Sequence, residues 1–202
     1  AQFAWRWIFC VDFEIEQKEV TIEWSNTSVV YNAQNQKPVA TISAGIVGTD
    51  DLTVVVSGEK KNVGVNYTAT AQLDGAAKGN YVIKSNATQL FTITAKEVAI
   101  TWTNTSLTHN KDQQKPTATI NDGEIFAGDE VNVEVSGAKK RPGTYTATAT
   151  LTGGASTNYV INTTMSSVEF VISNLDIPAD PFTIVKVSDG SVANANNNHW
   201  YN

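Results

Sequence analysis

The chain repeats itself, and the repeat constrains its fold more than any other feature. Lys18-Glu-Val-Thr-Ile-Glu-Trp24 returns 78 residues later as Lys96-Glu-Val-Ala-Ile-Thr-Trp102. Asn26-Thr-Ser28 returns as Asn104-Thr-Ser106, and Gln36-Lys-Pro38 as Gln114-Lys-Pro116. Val56-Ser-Gly58 returns as Val135-Ser-Gly137, one residue later than the common offset. Tyr67-Thr-Ala-Thr70 returns as Tyr145-Thr-Ala-Thr148, and Asn80-Tyr-Val-Ile83 as Asn158-Tyr-Val-Ile161. Such a period is too long for one coil of a solenoid and suits a small domain with its own core. The match speaks for a common fold and assigns no chemistry to the shared residues.

Each unit reads as strands. Val20, Ile22 and Trp24 alternate with Thr21 and Glu23, and Tyr67, Ala69, Ala71 and Leu73 alternate with Thr68, Thr70 and Gln72. Alternation with a period of two turns one face to a core and the other to solvent. Leu52-Thr-Val-Val-Val56 and Val131-Asn-Val-Glu-Val135 are rich in β-branched residues, which suit a pleated surface. Turn residues fall between these runs at Ser57-Gly58, Gly64, Asp74-Gly75, Ser136-Gly137, Pro142-Gly143 and Gly153-Gly154. No stretch sustains a helical period between caps. The expected fold is all-β, with each unit a sandwich of two sheets.

Composition narrows the function. Of 202 residues, 41% are hydrophobic and 17% charged, enough for a core and too little charge for a disordered chain. The net charge of −6 opposes binding to phosphate backbones and anionic lipid surfaces. A single cysteine, Cys10, allows neither an internal disulfide nor a structural zinc site. That fits either a cytosolic protein or an exported bacterial protein stabilised by other means. No apolar run approaches the ~18 residues of a membrane-spanning helix. The first residues lack the basic segment and cleavage site of a secretory leader, so the chain is expected to be a mature or excised piece.

The ordered set Lys-Glu-Val-x-Ile-x-Trp, Asn-Thr-Ser, Gln-Lys-Pro-x-Ala-Thr-Ile, Val-Ser-Gly, Gly-x-Tyr-Thr-Ala-Thr-Ala and Asn-Tyr-Val-Ile resembles MBG-type bacterial immunoglobulin-like repeats. The resemblance covers roughly residues 13–172. It implies two tandem immunoglobulin-like β-sandwich modules, at residues 16–93 and 94–172. Repeats of this kind resemble spacers and stalks of surface proteins in gut Firmicutes, and they recur in phage tail or decoration proteins. The resemblance implies display outside the cell and no catalytic residues. The first copy departs at Val63-Gly64-Val-Asn-Tyr67, where the second reads Arg141-Pro-Gly143-Thr-Tyr145. That difference changes one loop.

The flanks do not repeat. In residues 1–15 every odd position from Phe3 is apolar: Phe3, Trp5, Trp7, Phe9, Val11, Phe13 and Ile15. This predicts a long strand with an aromatic face. Phe13-Glu-Ile15 aligns with Phe91-Thr-Ile93, so it sits where the last strand of a preceding module would sit. The plainer reading gives Trp5, Trp7 and Phe9 to the core of a neighbouring domain; the sharper one makes them a donor strand or assembly interface. Residues 173–202 begin no third copy. A proline linker, residues 176–181, leads to a strand-like run at residues 182–187 and then to an Asn-rich end. Asn196, Asn197, Asn198, His199, Trp200 and Tyr201 combine amides and aromatic rings, the side chains that bind sugars. The plainer reading is a flexible end of a longer chain.

Candidate chemical sites are few. A nucleophile–histidine–acid triad needs a base, and the histidines are His109, which takes the place of Tyr31, and His199. The clustered acids Asp50-Asp51, Asp122 with Glu124, and Asp129-Glu130 stand beside glycines. They are expected to be solvated turn acids, since no spacing for a calcium loop accompanies them. Lys18 and Lys96 open the first strand of each unit and are candidate partners for a covalent bond to Asn80, Asn86, Asn158 or Asn162. Such a crosslink would stabilise a small core. Asn-x-Ser/Thr triplets start at Asn26, Asn66, Asn86, Asn104 and Asn162, and a Thr- and Asn-rich strand surface explains them without glycans. Lys60-Lys61 and Lys139-Lys140-Arg141 are too short for a nucleic-acid patch.

The expectation is a non-catalytic spacer or stalk on a bacterial surface, without cofactor, metal, nucleic-acid partner or membrane insertion. Its partners would be the rest of a longer surface protein or neighbouring subunits. A glycan- or protein-binding module and a phage virion component are the alternatives.

Overall fold

The computed structural model describes residues 13–175 and two short strands, Ile184–Val185 and Val192–Ala193, which pair antiparallel. The described chain is all-β with several sheets. Its first half contains β1 (Lys18–Ser25), β2 (Ser28–Val30), β3 (Val39–Ala44), β4 (Thr53–Ser57), β5 (Gly64–Asp74), β6 (Tyr81–Ile83) and β7 (Thr88–Thr94). One sheet runs β3-β1-β6 and the other β2-β7-β5-β4. Pairing is antiparallel except between β1 and β6 and between β2 and β7.

The second half contains β8 (Lys96–Val98), β9 (Ile100–Thr103), β10 (Ser106–Thr108), β11 (Thr117–Ile120), β12 (Asn132–Ser136), β13 (Gly143–Thr152), β14 (Tyr159–Ile161) and β15 (Ser167–Ser173). The same pairings recur: β11 with β9, β14 with β8, and a sheet β10-β15-β13-β12. β8 and β9 together stand where β1 stands. They are interrupted at Ala99, the counterpart of Thr21, where the pairing of β1 with β3 shifts register. The irregularity is thus built into both halves at one position.

The core follows from the alternation. Val20 and Ile22 of β1, Ala69 and Ala71 of β5, and Phe91 and Ile93 of β7 are buried, while Thr21, Glu23 and Thr68 face outward. Inward residues of both sheets therefore meet, and at ~25 cal/mol per Å² their burial is the main favourable term. Tyr67 lies opposite Phe91 with ring centroids 5.6 Å apart, and Tyr145 lies against Phe170 at 5.8 Å.

The repeated motifs acquire structural reasons. The backbone of Gln36 pairs with that of Lys60, and its side-chain amide donates to the Val30 carbonyl at 3.1 Å. The Lys37 ammonium donates to the Val56 carbonyl at 2.7 Å, and Pro38 is fully buried. Gln114, Lys115 and Pro116 do the same with Lys139, Thr108 and Val135. Gln-Lys-Pro is therefore a clip that ties the ends of three strands. Gly58 and Gly137 have φ of 95° and 94°, and a Cβ on either would collide with the carbonyl of Thr68 or Thr146. Only glycine fits there.

One expectation changes. Residues 13–17 carry no strand, and Phe13 and Ile15 are 83% and 86% exposed. Their counterparts Phe91 and Ile93 are 2% and 0% exposed, because β7 lies between β2 and β5. Among the described residues no strand flanks residues 13–15, so the alternation has no sheet to join. The rest of that aromatic run, Trp5, Trp7 and Phe9 included, lies outside the described residues.

Candidate functional site

The feature that sets this chain apart from two independent beads is the contact between its halves. A single residue, Ala95, separates β7 from β8. Beside it the Tyr31 backbone N–H donates to the Thr94 carbonyl at 2.8 Å, which holds the loop after β2 against the crossing point. The Tyr31 ring then projects into the second half. Its hydroxyl donates to Asp129 Oδ2 at 2.8 Å, and the Tyr159 hydroxyl donates to the same oxygen at 2.6 Å. The Tyr159 hydroxyl in turn accepts the Phe126 N–H at 3.1 Å.

Apolar packing surrounds this polar centre. Tyr31 meets Tyr159 edge-on at 5.5 Å between centroids and Phe126 at 6.0 Å. Edge-to-face pairs of this kind contribute about 0.5–1.5 kcal/mol each beyond area burial. Through Tyr31 the cores of the two halves form one continuous cluster. On the second side of the contact, Asn158 is 5% exposed. Its Oδ1 accepts the Val63 N–H at 2.9 Å and its Nδ2 donates to Asn62 Oδ1 at 3.3 Å. A buried amide satisfied only from the neighbouring half fixes the angle between them, because rotation would leave it unpaired.

The electrostatics match the geometry. Burial first, and then the hydrogen bond to Asp129, pushes Tyr31 up to about 12. The same order of causes pushes Tyr159 up to about 12. The Tyr159 hydrogen bond holds Asp129 below the usual carboxylate range, against the effect of burial, with Tyr31 and the charge of Lys61 adding to it. Two neutral hydroxyls thus solvate one half-buried carboxylate.

Several sequence candidates land at or near this contact. Lys96 bonds the Glu124 carbonyl at 2.8 Å and its carboxylate at 2.9 Å, and its ammonium lies 5.7 Å from the Phe126 ring centroid. Its side-chain partner is thus the acid Glu124. Asn162 instead donates to Glu97. Lys18 and Asn80 are exposed, and Asn86 sits at a left-handed turn with φ 61°. Asn26, Asn66 and Asn104 share that conformation, at φ 56°, 57° and 59°. Asparagine tolerates it better than other side chains, which accounts for four of the five Asn-x-Ser/Thr triplets.

The expectation that the clustered acids are solvated needs correcting for two of them, both half-buried: Asp129 serves two tyrosines and Glu124 holds Lys96. Asp50 is exposed, and it accepts the Tyr81 hydroxyl at 2.6 Å. Among the described residues no group of three or more His, Cys, Asp or Glu is placed to hold a metal. His109 repeats only the backbone role of Tyr31, donating its N–H to the Ser173 carbonyl at 2.9 Å. An open groove is lined by Ala149, Leu151, Thr157, Tyr159, Ile161 and Ser166, and no carboxylate, imidazole or amine lines it. Asn196, Asn197, Asn198, His199, Trp200 and Tyr201 lie outside the described residues. Among the described residues no helix is long and apolar enough to cross a membrane.

The sequence reading missed Tyr31, Asp129 and Asn158 as a set. The available signal was a break in the repeat, Tyr31 against His109, together with a conformity, Tyr81 and Tyr159 in matching motifs. No protein-family model, no curated protein and no solved structure matches the chain.

Proposed function

We propose that the chain is a non-catalytic spacer or stalk segment: two tandem immunoglobulin-like β-sandwich modules joined end to end and held at a fixed angle. The joint carries this reading. A one-residue connection, a shared aromatic core and a buried amide bonded across the junction resist bending at the point where a flexible array would bend. The resemblance to MBG-type bacterial repeats supports placement outside the cell, on a bacterial surface, with the rest of a longer surface protein as the immediate partner.

The experiment is a binding screen of the full chain against glycan and host-protein panels, beside a chain ending at residue 172. The spacer reading predicts no specific binding by either. Binding by the full chain that disappears on truncation makes the C-terminal segment a recognition element and overturns the spacer as the whole function.

A further inference from the structure

The first half carries, at its end away from the joint, the same receiving face that the second half uses at the joint. The Tyr81 hydroxyl donates to Asp50 Oδ2 at 2.6 Å and accepts the Val47 N–H at 3.0 Å. Tyr159, Asp129 and Phe126 form the same three-way arrangement. The Asn80 N–H donates to the Ala77 carbonyl at 2.9 Å, as that of Asn158 does to Ala155 at 3.0 Å, so the two asparagines close matching turns.

Only the cover differs. Asn158 is buried and Asn80 exposed; Ile125 and Phe126 are half-buried, whereas Ile46 and Val47 are 40% and 53% exposed. Asp129 accepts two hydroxyls, and Asp50 accepts one among the described residues. Val20, Leu52 and Tyr81 form a small cluster of their own, whereas Val98 and Tyr159 belong to the core that Tyr31 makes continuous. The chain leading into this face repeats as well: Phe13, Ile15 and Lys18 are spaced as Phe91, Ile93 and Lys96.

We propose that the face made by Ile46, Val47, Asp50, Asn80 and Tyr81 docks a further β-module of the same build, with residues 13–15 as that module's closing strand. The partner presents a hydroxyl-bearing ring where the joint has Tyr31, a free backbone N–H where it has Val63, and a basic turn where it has Lys61. Such a turn complements Asp50 and Asp51 as Lys61 complements Asp129. The proposal rests on the joint being a real, stiff contact.

The test replaces residues 1–12 with a second copy of residues 16–90 spliced directly to Phe13, so that Phe13 takes the place of Phe91, and compares it with the unextended chain. Hydroxyl-radical footprinting then compares Ile46 and Val47 with Ile125 and Phe126. The expected result is a several-fold fall in reactivity at Ile46 and Val47, reversed by Tyr31→Ala in the added copy alone. Unchanged reactivity there, with Ile125 and Phe126 still protected, overturns the docking face and leaves the joint intact. Loss of protection at both pairs overturns the joint too. Concentration-dependent protection of Ile46 and Val47 in the unextended chain assigns the face to a second copy instead and also overturns the proposal. Should the added copy not fold, residues 94–169 spliced to Phe13, carrying His109→Tyr, provide the same comparison.

Discussion

At the scale of the residue, Tyr31 does two jobs with one side chain. Its ring joins two apolar cores and its hydroxyl helps to solvate a half-buried carboxylate. Tyr31→Phe keeps the ring and removes one of two hydroxyls from Asp129. It should cost about 1 kcal/mol in chemical denaturation, because Tyr159 still serves the acid. Tyr31→Ala should cost about 3 kcal/mol or more, since it opens a cavity at a site that cannot collapse without moving a whole half. Equal costs for the two would mean that the ring contributes nothing. The ionisations give a second prediction, with two signs. Asp129 is held below its ordinary value, so its contribution is present above that value and lost as pH falls through its folded-state value. Tyr31 and Tyr159 are raised, so theirs is present below the ordinary 10.0 and lost as pH climbs towards about 12. Tyrosinate absorbance followed through that alkaline range should show Tyr31 and Tyr159 titrating late in the intact chain, beside Tyr81, which its hydrogen bond to Asp50 also raises. In Asp129→Asn Tyr31 and Tyr159 should titrate earlier, and an unchanged titration would contradict the shared carboxylate.

At the scale of the element, the strands were legible and the clips were not. Val20, Ile22, Ala69 and Ala71 announced their faces by alternation alone, because a strand has only two sides. Gln36-Lys-Pro38 was visible as a motif, but its purpose was hidden. Its partners Val30 and Val56 sit on other strands and Lys60 on the loop after β4, and strand neighbours are set by topology. Asp129 was read as a solvated turn acid for the same reason: the tyrosines that bond it lie 98 and 30 residues away in the chain. Phe13 and Ile15 show the converse error, a strand pattern with no neighbouring strand among the described residues. Turn glycines offer a direct check. Gly58→Ala forces a side chain into left-handed backbone and against a strand carbonyl, and should cost about 2 kcal/mol or more. Gly79→Ala meets open space at ordinary φ and should stay within about 0.5 kcal/mol. Thermal denaturation of the two variants side by side decides this, and equal effects would contradict the close approach at Gly58.

At the scale of the whole molecule, the account depends on the two modules behaving as one body. Linkers of several flexible residues let domains reorient; here Ala95 stands alone between β7 and β8. The contacts around it come from separate segments: the loop at Tyr31 and the turn at Asn62 and Val63 on one side, and the turns that carry Asp129 and Asn158 on the other. Asn158→Ala should loosen the joint without unfolding either module, since its side-chain bonds cross the junction and contribute nothing within its own half. The most direct test is the measurement of residual dipolar couplings for backbone amides in both halves of the full chain, repeated for Tyr31→Ala. The account predicts that a single alignment tensor fits residues 18–94 and 96–173 together in the native chain, and that two tensors are needed once Tyr31 is removed. Two different tensors in the native chain would show that the modules move independently, and the stiff-spacer account would be wrong.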